Sequence, residues 1–184
     1  MLISMETPVF AAILVIIIID ITPQTACWNV RKFFSQMEPI WTTETTRNKP
    51  IKCVVDKVQS VKRLSISFKR CKFNRGNRCE SGIYGVLDAE SLDQMAIYHK
   101  DTFKRTENLL FMSFDQSCGV FKVQSLLEWD SVYFDLRLRN SSVSRIPHKA
   151  CRNYFQRVIG NQRPMVVYRP DCQWLYLGKG SKKV

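Results

Sequence analysis

Three side chains in one alternating stretch of the chain could bind a small charged molecule. Tyr133, Asp135 and Arg137 are spaced two apart, and residues at that spacing in a β-strand lie on one face. A guanidinium binds carboxylates through paired hydrogen bonds, whereas a carboxylate attracts amines. This face could therefore hold the charged group of a ligand. The opposite face carries Phe134, Leu136 and Leu138.

The same stretch allows two other arrangements. Arg137 could simply pair with Asp135, which would make the charged face structural. Alternatively, the apolar face could fill the interior of the protein while the charged face meets water. The alternation of the residues does not distinguish these arrangements.

The sequence offers few residues for catalysis. It has two histidines, His99 and His148, and it lacks a nucleophile elbow, a paired acidic motif and a phosphate-binding loop. Zinc binding by Cys71 and Cys79 would need two further ligands, and none has suitable spacing. A basic ribonuclease using both histidines and a lysine is the enzyme alternative. We expect a binding protein that uses no catalytic residue, metal or cofactor.

The first 27 residues are typical of a secretory signal peptide. Residues 8–21 are apolar except for Asp20, and a membrane span would need a longer run of about 20 apolar residues. Small residues at 25–27 suit a cleavage site, with a signal anchor as the alternative. We therefore expect a secreted protein that does not insert stably into membranes. The expected domains are a signal peptide at 1–27, one globular domain at 28–174 and a basic tail at 175–184.

Cleavage after Cys27 would change both the cysteine count and the net charge. The chain has seven cysteines, so six would remain, an even number suited to three disulfides. Cleavage would also remove Glu6 and Asp20 but no basic residue, which raises the formal net charge from +12 to +14. Such a charge favours polyanions such as heparan sulfate or anionic membrane surfaces as partners, and a basic surface without a specific partner is the alternative. The basic residues cluster at 69–78 and in the tail, and we expect no nucleic-acid partner.

Short strand patterns occupy most of the chain. They are separated by polar turns, which is typical of an antiparallel barrel or sandwich. The predicted strands are 40–47, 51–58, 64–69, 82–87, 94–99, 109–114, 118–123 and 132–139, with a last strand at 165–168. A short amphipathic helix is predicted at 28–37. A longer helix is predicted between Pro147, at its first position, and Gly160, just past its end.

This order of elements resembles that of the lipocalins, and the details are similar to the salivary lipocalins of ticks, the histamine-binding-like family. The resemblance covers roughly residues 28–173. It implies a mainly β fold: an eight-stranded antiparallel barrel with a short N-terminal helix, an outer C-terminal helix and disulfide staples. The similar segments are Trp41 with residues 48–54, residues 111–118 with Gln116 in place of the usual Tyr, residues 136–142, Cys151, and residues 170–173.

The resemblance also implies how the cysteines pair. It implies the bridges Cys53–Cys172 and Cys118–Cys151, which leaves Cys71 and Cys79 for each other. A free or intermolecular thiol pair is the alternative for these last two cysteines. Trp41 is expected in the core near the closed end of the barrel.

The resemblance further implies a ligand in the barrel, but two residues depart from the amine-binding pattern. Gly119 stands where the family has an acidic residue, and Arg137 stands where it has an aromatic residue. An amine needs carboxylates and aromatic faces. The departures favour an amphipathic lipid such as an eicosanoid over histamine or serotonin, with Arg137 receiving its carboxylate beside Tyr133 and Asp135.

The sequence therefore suggests two functions. The first is a salivary protein that sequesters a small host mediator, an amine or preferably a lipid, and so modulates inflammation or haemostasis. The second is binding of a host protein or anionic glycan by the outer surface, with no ligand in the barrel. In either case Asn140, in Asn-Ser-Ser, is an expected glycosylation site.

Overall fold

The computed structural model describes residues 28–74, 76–125 and 131–177. In these ranges the chain forms a closed antiparallel β-barrel of eight strands, with three α-helices and one short extra strand. The predicted fold class, a mainly β barrel with disulfide staples, is confirmed. The predicted signal peptide at 1–27 and most of the predicted tail, 178–184, lie outside the described residues.

Each barrel strand pairs with its neighbour in sequence, and the sheet closes because β1 pairs with both β2 and β8. The strands are β1 Ile40–Thr45, β2 Val54–Val61, β3 Ser65–Asn74, β4 Gly76–Leu87, β5 Gln94–His99, β6 Thr102–Met112, β7 Cys118–Ser125 and β8 Ser131–Arg139. The extra strand β9, Met165–Val166, pairs with the end of β1 beyond its contact with β2.

Three strands, β3, β4 and β6, extend at least five residues beyond their predicted bounds. β6 begins at Thr102, well before the predicted start at 109, and it ends at Met112, where residues 113–117 turn with Gln116 at a φ of 58°. β3 and β4 continue into a long hairpin in which Cys71 lies opposite Cys79. This hairpin is polar and basic, so it lacks the apolar alternation that predicts a strand. Cross-strand hydrogen bonds and the disulfide hold it instead.

The first helix, α1, covers one end of the barrel. α1 spans Val30–Phe34, and the Asn29 side chain caps it by accepting a hydrogen bond from the Lys32 amide at 3.1 Å. The Val30 amide donates to the carbonyl of Leu92, in the turn between β4 and β5, at 2.9 Å. These bonds fix α1 over the ends of the strands.

The second helix, α2, packs outside the barrel. It spans Lys149–Ile159, and Nδ1 of His148 caps it by accepting from the Ala150 amide at 3.2 Å. The prediction that Pro147 is the first helical residue is wrong, because the imidazole cap starts the helix at Lys149. Gly160 ends the helix with a φ of 56°, a conformation that glycine adopts without strain. A third helix, α3, spans Asp171–Tyr176 where none is predicted. None of the described helices has the length and apolar character needed to cross a bilayer.

Two apolar clusters lie on opposite faces of the sheet. The outer cluster fills the space between the sheet and helices α2 and α3, and Trp41 is fully buried in it, as expected of a core residue. The inner cluster lies inside the barrel, and the buried side chains of α1 belong to it. Its members include Val30, Phe33, Phe34, Ile66, Phe68, Ile83, Ile97, Leu109 and Phe121.

The three disulfides join the pairs that the resemblance implies. Cys53–Cys172 links the segment before β2 to α3, and Cys118–Cys151 links β7 to α2. Cys71–Cys79 joins directly opposite residues of the β3–β4 hairpin, with a Cα–Cα distance of 4.0 Å. Two of the bridges thus fasten the C-terminal helices to the barrel wall.

Candidate ligand-binding site

The barrel interior is filled by aromatic side chains at the α1 end. Phe33 and Phe34 of α1 point inward, and their ring centroids lie 5.4 and 6.4 Å from that of Phe121. Phe34 also stacks on Phe68 at 6.2 Å. All four side chains are almost fully buried. This end of the barrel therefore holds a packed core.

Gly119 lies beside these packed rings, which we call the aromatic plug (Phe33, Phe34, Phe68 and Phe121). A Cβ atom at Gly119 would lie 3.0 Å from Leu109 Cδ1, 3.1 Å from Phe121 Cε2 and 3.2 Å from Phe33 Cε2. Such approaches are tighter than ordinary van der Waals contact. The position at which the amine-binding pattern has an acid is thus occupied by the packed rings, and a carboxylate side chain would displace them.

A layer of buried charges lies next to the plug. Arg70 on β3 donates to both oxygens of Asp56 on β2, at 2.5 and 2.6 Å. It also donates to Glu107 on β6, at 3.3 and 3.4 Å. β3 and β6 are not neighbours in the sheet, so this contact crosses the interior of the barrel.

Arg137 joins the same layer from β8. Its Nη1 donates to Glu107 Oε2 at 2.5 Å, and its Nε and Nη2 donate to Asp135 Oδ2 at 3.2 and 2.8 Å. The other oxygen of Asp135 accepts from the Thr45 hydroxyl at 2.7 Å. The Arg137 guanidinium also lies over the Phe121 ring at 4.4 Å, which joins the charged layer to the plug.

The pairing shifts the pKa values of these groups. Burial by itself would raise the pKa of Glu107, but Arg137 and Arg70 outweigh burial and hold that pKa below its usual value. Burial would lower the pKa of Arg137, but Glu107 and Asp135 raise it instead. Burial, together with Asp135 and Glu107, raises the pKa of Tyr133. The layer therefore combines an ionised Glu107 carboxylate with protonated guanidiniums, beside a neutral phenol.

A cavity of about 160 Å³ opens beyond the charged layer, at the end of the barrel opposite α1. Arg105 is the link between the two, because its Nε donates to Glu107 Oε1 at 2.7 Å. A smaller cavity of about 30 Å³, lined partly by Tyr133 and Asp135, shares Arg47 and Arg105 with the larger one. We call the larger cavity the mouth cavity. Its lining residues are Arg47, Glu80, Ile83, Ile97, His99, Lys104, Arg105 and Ser125.

The structure brings Tyr133, Asp135 and Arg137 together on the inner face of β8, and Leu136 and Leu138 lie in the outer cluster. The arrangement with the apolar face inside is therefore wrong. Arg137 pairs with Asp135, which was one of the open alternatives. Its role in ligand binding stays a prediction.

Several charged residues of the interior escape the sequence prediction. Asp56 lies within a predicted strand, but the pattern there does not indicate a buried charge. Arg70, Arg105 and Glu107 lie outside the predicted bounds of their strands. Arg70 continues the alternation of Ile66 and Phe68, and that extension of the pattern was the available signal. Nothing in the sequence indicates that these residues would meet across the barrel.

The two histidines lie apart. His99 lines the mouth cavity, whereas His148 caps α2 and lies near Asp115. Burial would raise the pKa of Asp115, but hydrogen bonds from Ser113 and Ser117 lower it, and His148 adds a smaller effect in the same direction. Asp115 is in the turn after β6, at the α1 end of the barrel. The ribonuclease alternative requires both histidines at one site, and this geometry does not provide it.

Asn140 lies outside the barrel, in a 3₁₀ turn that follows β8. Its Oδ1 accepts hydrogen bonds from Trp41 Nε1 and from Gln173 Nε2, both at 2.9 Å. Both bonds use the oxygen of the side chain, whereas an N-linked glycan attaches to Nδ2. The expected glycosylation at Asn140 stays a prediction.

Comparison with known proteins bears on the fold. No family model matches the chain, and no curated protein matches its sequence. Among solved structures, the protein AM182 in complex with serotonin has a TM-score of 0.63 and 16% identity, over 80% of this chain and 94% of that one. The siderocalin Ex-FABP has a TM-score of 0.56 and 11% identity, over 72% and 93% of the two chains.

Apocrustacyanin C2 is a third structural neighbour, with a TM-score of 0.55 and 11% identity, over 80% of this chain and 90% of that one. At these identities the likeness shows the fold alone. All three neighbours are lipocalins, and this chain forms an eight-stranded barrel. This chain therefore has the lipocalin fold.

Proposed function

We propose that this protein is a secreted lipocalin that sequesters a small amphipathic anion, such as an eicosanoid, in its barrel. The complex of AM182 with serotonin and the dual ligand specificities of siderocalin support a binding function for this fold. The three disulfides support an extracellular location, because such bonds persist in oxidising compartments. In the saliva of a tick, removal of a host mediator would blunt inflammation or haemostasis.

The preference for an anion over an amine depends on one observation. Each of the interior carboxylates, Asp56, Glu107 and Asp135, accepts hydrogen bonds from a guanidinium. An amine would have to break such a pair to gain a carboxylate, which leaves a buried charge without its partner. An anion entering the mouth cavity meets basic side chains instead.

Tyr133, Asp135 and Arg137 contribute to this site as its polar floor. Tyr133 and Asp135 line the small cavity beneath the mouth cavity. Arg137 holds Asp135 in place through two hydrogen bonds. We propose that the ligand's polar group lies above this floor and its apolar part against Ile83 and Ile97.

Calorimetric titration of the secreted, disulfide-bonded protein with arachidonate, serotonin and histamine tests this function. We expect arachidonate to bind with a Kd of about 1 μM or tighter, and the two amines to bind at least about tenfold more weakly. Tighter binding of serotonin or histamine than of arachidonate would reverse the assignment. Native mass spectrometry of the same material should show a co-purified carboxylate and a glycan that is lost in the Asn140→Gln variant.

The outer surface supports a second function, the binding of an anionic glycan. A surface cavity of about 460 Å³ beside α1 is lined partly by Arg31 and Lys32. A neighbouring concavity of about 310 Å³ shares Arg31 and adds Arg63. A sulfated glycan could contact all three basic residues from outside the barrel, without using the interior.

Heparin chromatography distinguishes this second function from simple basicity. The Lys32→Gln/Arg63→Gln variant should elute at clearly lower salt than the Lys122→Gln/Arg157→Gln variant, which removes the same charge elsewhere. Equal elution of the two variants would mean that retention reflects net charge and that the α1 surface has no special role.

A further inference from the structure

We propose that Arg105, with Lys104 beside it, receives the carboxylate of the ligand in the mouth cavity. This inference depends on the proposed function and names the anion-binding group within it. It assigns the charge contact to β6, whereas the sequence pattern placed it at Arg137 on β8.

The Arg105 guanidinium is already fixed in place. Its Nε donates to Glu107 Oε1 at 2.7 Å, and its side chain is only 18% exposed. Its Nη2 is buried and makes no hydrogen bond to any residue that the structure describes. A buried donor of this kind is unfavourable unless an acceptor reaches it. A ligand carboxylate at the mouth would supply that acceptor.

Arg70 and Arg137, the two other guanidiniums of the charged layer, differ from Arg105 in this respect. Arg70 donates from Nε, Nη1 and Nη2 to Asp56 and Glu107. Arg137 donates from the same three nitrogens to Asp135 and Glu107. Every guanidinium nitrogen of these two residues thus already contacts a buried carboxylate, whereas Arg105 keeps one nitrogen, Nη2, without such a contact.

The charge around the mouth cavity also favours an anion. In the charged layer, the guanidiniums of Arg70, Arg105 and Arg137 balance three carboxylates. Lys104 adds a further positive charge to the cavity lining. Glu80 is the acidic lining residue among those that the structure describes, and it lies 3.4 Å from Lys72.

The size of the cavity limits what can enter. Its volume of about 160 Å³ is below the roughly 300 Å³ at which pockets for drug-sized ligands begin. Ile83 and Ile97 give it a buried apolar side. It can therefore accept a carboxylate and the first part of an aliphatic chain, with the rest of the chain extending beyond the cavity.

Matched variants of the complete protein test the assignment. Arg105→Gln is compared with Arg145→Gln, and Lys104→Gln with Lys62→Gln, because Arg145 and Lys62 are exposed and do not line the mouth cavity. The probes are arachidonate and arachidonyl alcohol, below micelle-forming concentrations and at 0.15 M salt. Long-range charge effects are largely screened at that salt concentration.

Arg105→Gln should weaken arachidonate binding at least about tenfold, and Lys104→Gln about threefold, with no change for the Arg145 and Lys62 variants. Wild-type protein should prefer arachidonate to its alcohol by a similar factor. Lys104 makes no ion pair in the described charged layer, so its variant should fold even if Arg105→Gln does not.

Arachidonate binding that is unchanged in both mouth variants would overturn this site and leave the proposed function standing. Equal affinity of the wild type for the acid and the alcohol would do the same. Complete failure of wild-type protein to bind arachidonate would overturn both the site and the proposed anion function.

Discussion

At the scale of single residues, the interior depends on Glu107. This carboxylate is fully buried and lies between the guanidiniums of Arg70, Arg105 and Arg137. A buried ion network costs much desolvation energy, and it is tolerated when every member is paired. Glu107 therefore pairs with guanidiniums from three strands, β3, β6 and β8, and links them in one layer.

Replacing Glu107 with Gln should destabilise the protein strongly. The change leaves three buried guanidiniums with less negative charge around them, and we expect a loss of about 3 kcal/mol in the free energy of unfolding at pH 7. Urea denaturation measures this loss. Glu80→Gln is the control, since it removes an exposed carboxylate and should cost less than about 1 kcal/mol. Similar losses in the two variants would show that the buried layer is not special.

The lowered pKa of Glu107 also predicts a pH dependence. A carboxyl whose pKa is lower in the folded than in the unfolded state stabilises the fold above its unfolded pKa, which is near 4.5. This stabilisation is lost as the pH falls below about 4.5 through the folded-state pKa. The free energy of unfolding should thus fall more steeply below pH 4.5 in the wild type than in Glu107→Gln. Parallel curves would contradict the assignment.

Gly119 provides a second prediction at this scale. Gly119→Ala should cost about 1–3 kcal/mol, because its Cβ would press on the Phe33 and Phe121 rings and on Leu109. In a double-mutant cycle with Phe33→Ala, the cost should shrink, since one of the crowding rings is gone. Additive costs measured by urea denaturation would mean that Phe33 does not limit the space at Gly119.

At the scale of elements, α1 decides which end of the barrel is filled. It is only five residues long, yet Phe33 and Phe34 reach the centre of the inner cluster. Arg139 of β8 ties its last turn down by donating to the Phe33 carbonyl at 2.8 Å. The helix thus closes one end of the barrel, and the mouth cavity lies at the opposite end.

Phe33→Ala should therefore both destabilise the protein and enlarge its interior. We expect a cost of about 3–5 kcal/mol, as for other buried phenylalanines. Exposed Phe114 is the matched control, and Phe114→Ala should change stability by less than about 0.5 kcal/mol. Thermal or urea unfolding measures both values. A small loss for Phe33→Ala would mean that α1 covers the barrel without supporting it.

At the scale of the whole molecule, β1 closes the barrel and the disulfides fasten the C-terminal elements to it. Cys53–Cys172 spans 119 residues, Cys118–Cys151 spans 33 and Cys71–Cys79 spans 8. Constraint of the unfolded chain grows with the length of the loop that a bridge closes. The three bridges should therefore differ in their effect on stability.

Paired Cys→Ala changes should rank in that order. From loop length, we expect losses of about 5 kcal/mol for Cys53–Cys172, about 4 for Cys118–Cys151 and about 2.5 for Cys71–Cys79. The readout is the free energy of unfolding of each variant under identical conditions. A larger loss for the hairpin bridge than for Cys53–Cys172 would show that local strand pairing, not chain constraint, determines the effect.

The accuracy of the sequence prediction followed the range of the interactions involved. β5 is predicted with its observed bounds, because its alternation continues to both ends of the strand. The outer part of the β3–β4 hairpin and α3 escape prediction because a disulfide and tertiary packing hold them without a strong local pattern. Pro147 suggests the wrong helix start because the His148 imidazole caps the helix, which therefore begins at Lys149.

Much of this protein follows from its sequence alone: the antiparallel strands, the outer helix and the shared face of Tyr133, Asp135 and Arg137. These depend on neighbours a few residues apart, where backbone geometry fixes the outcome. Only the tertiary structure decided that Arg137 is paired with Glu107, that α1 fills one end, and that Arg105 faces the remaining cavity. Those features arise when the closed sheet brings β3, β6 and β8 around one interior, and strand alternation alone does not encode which charges meet there.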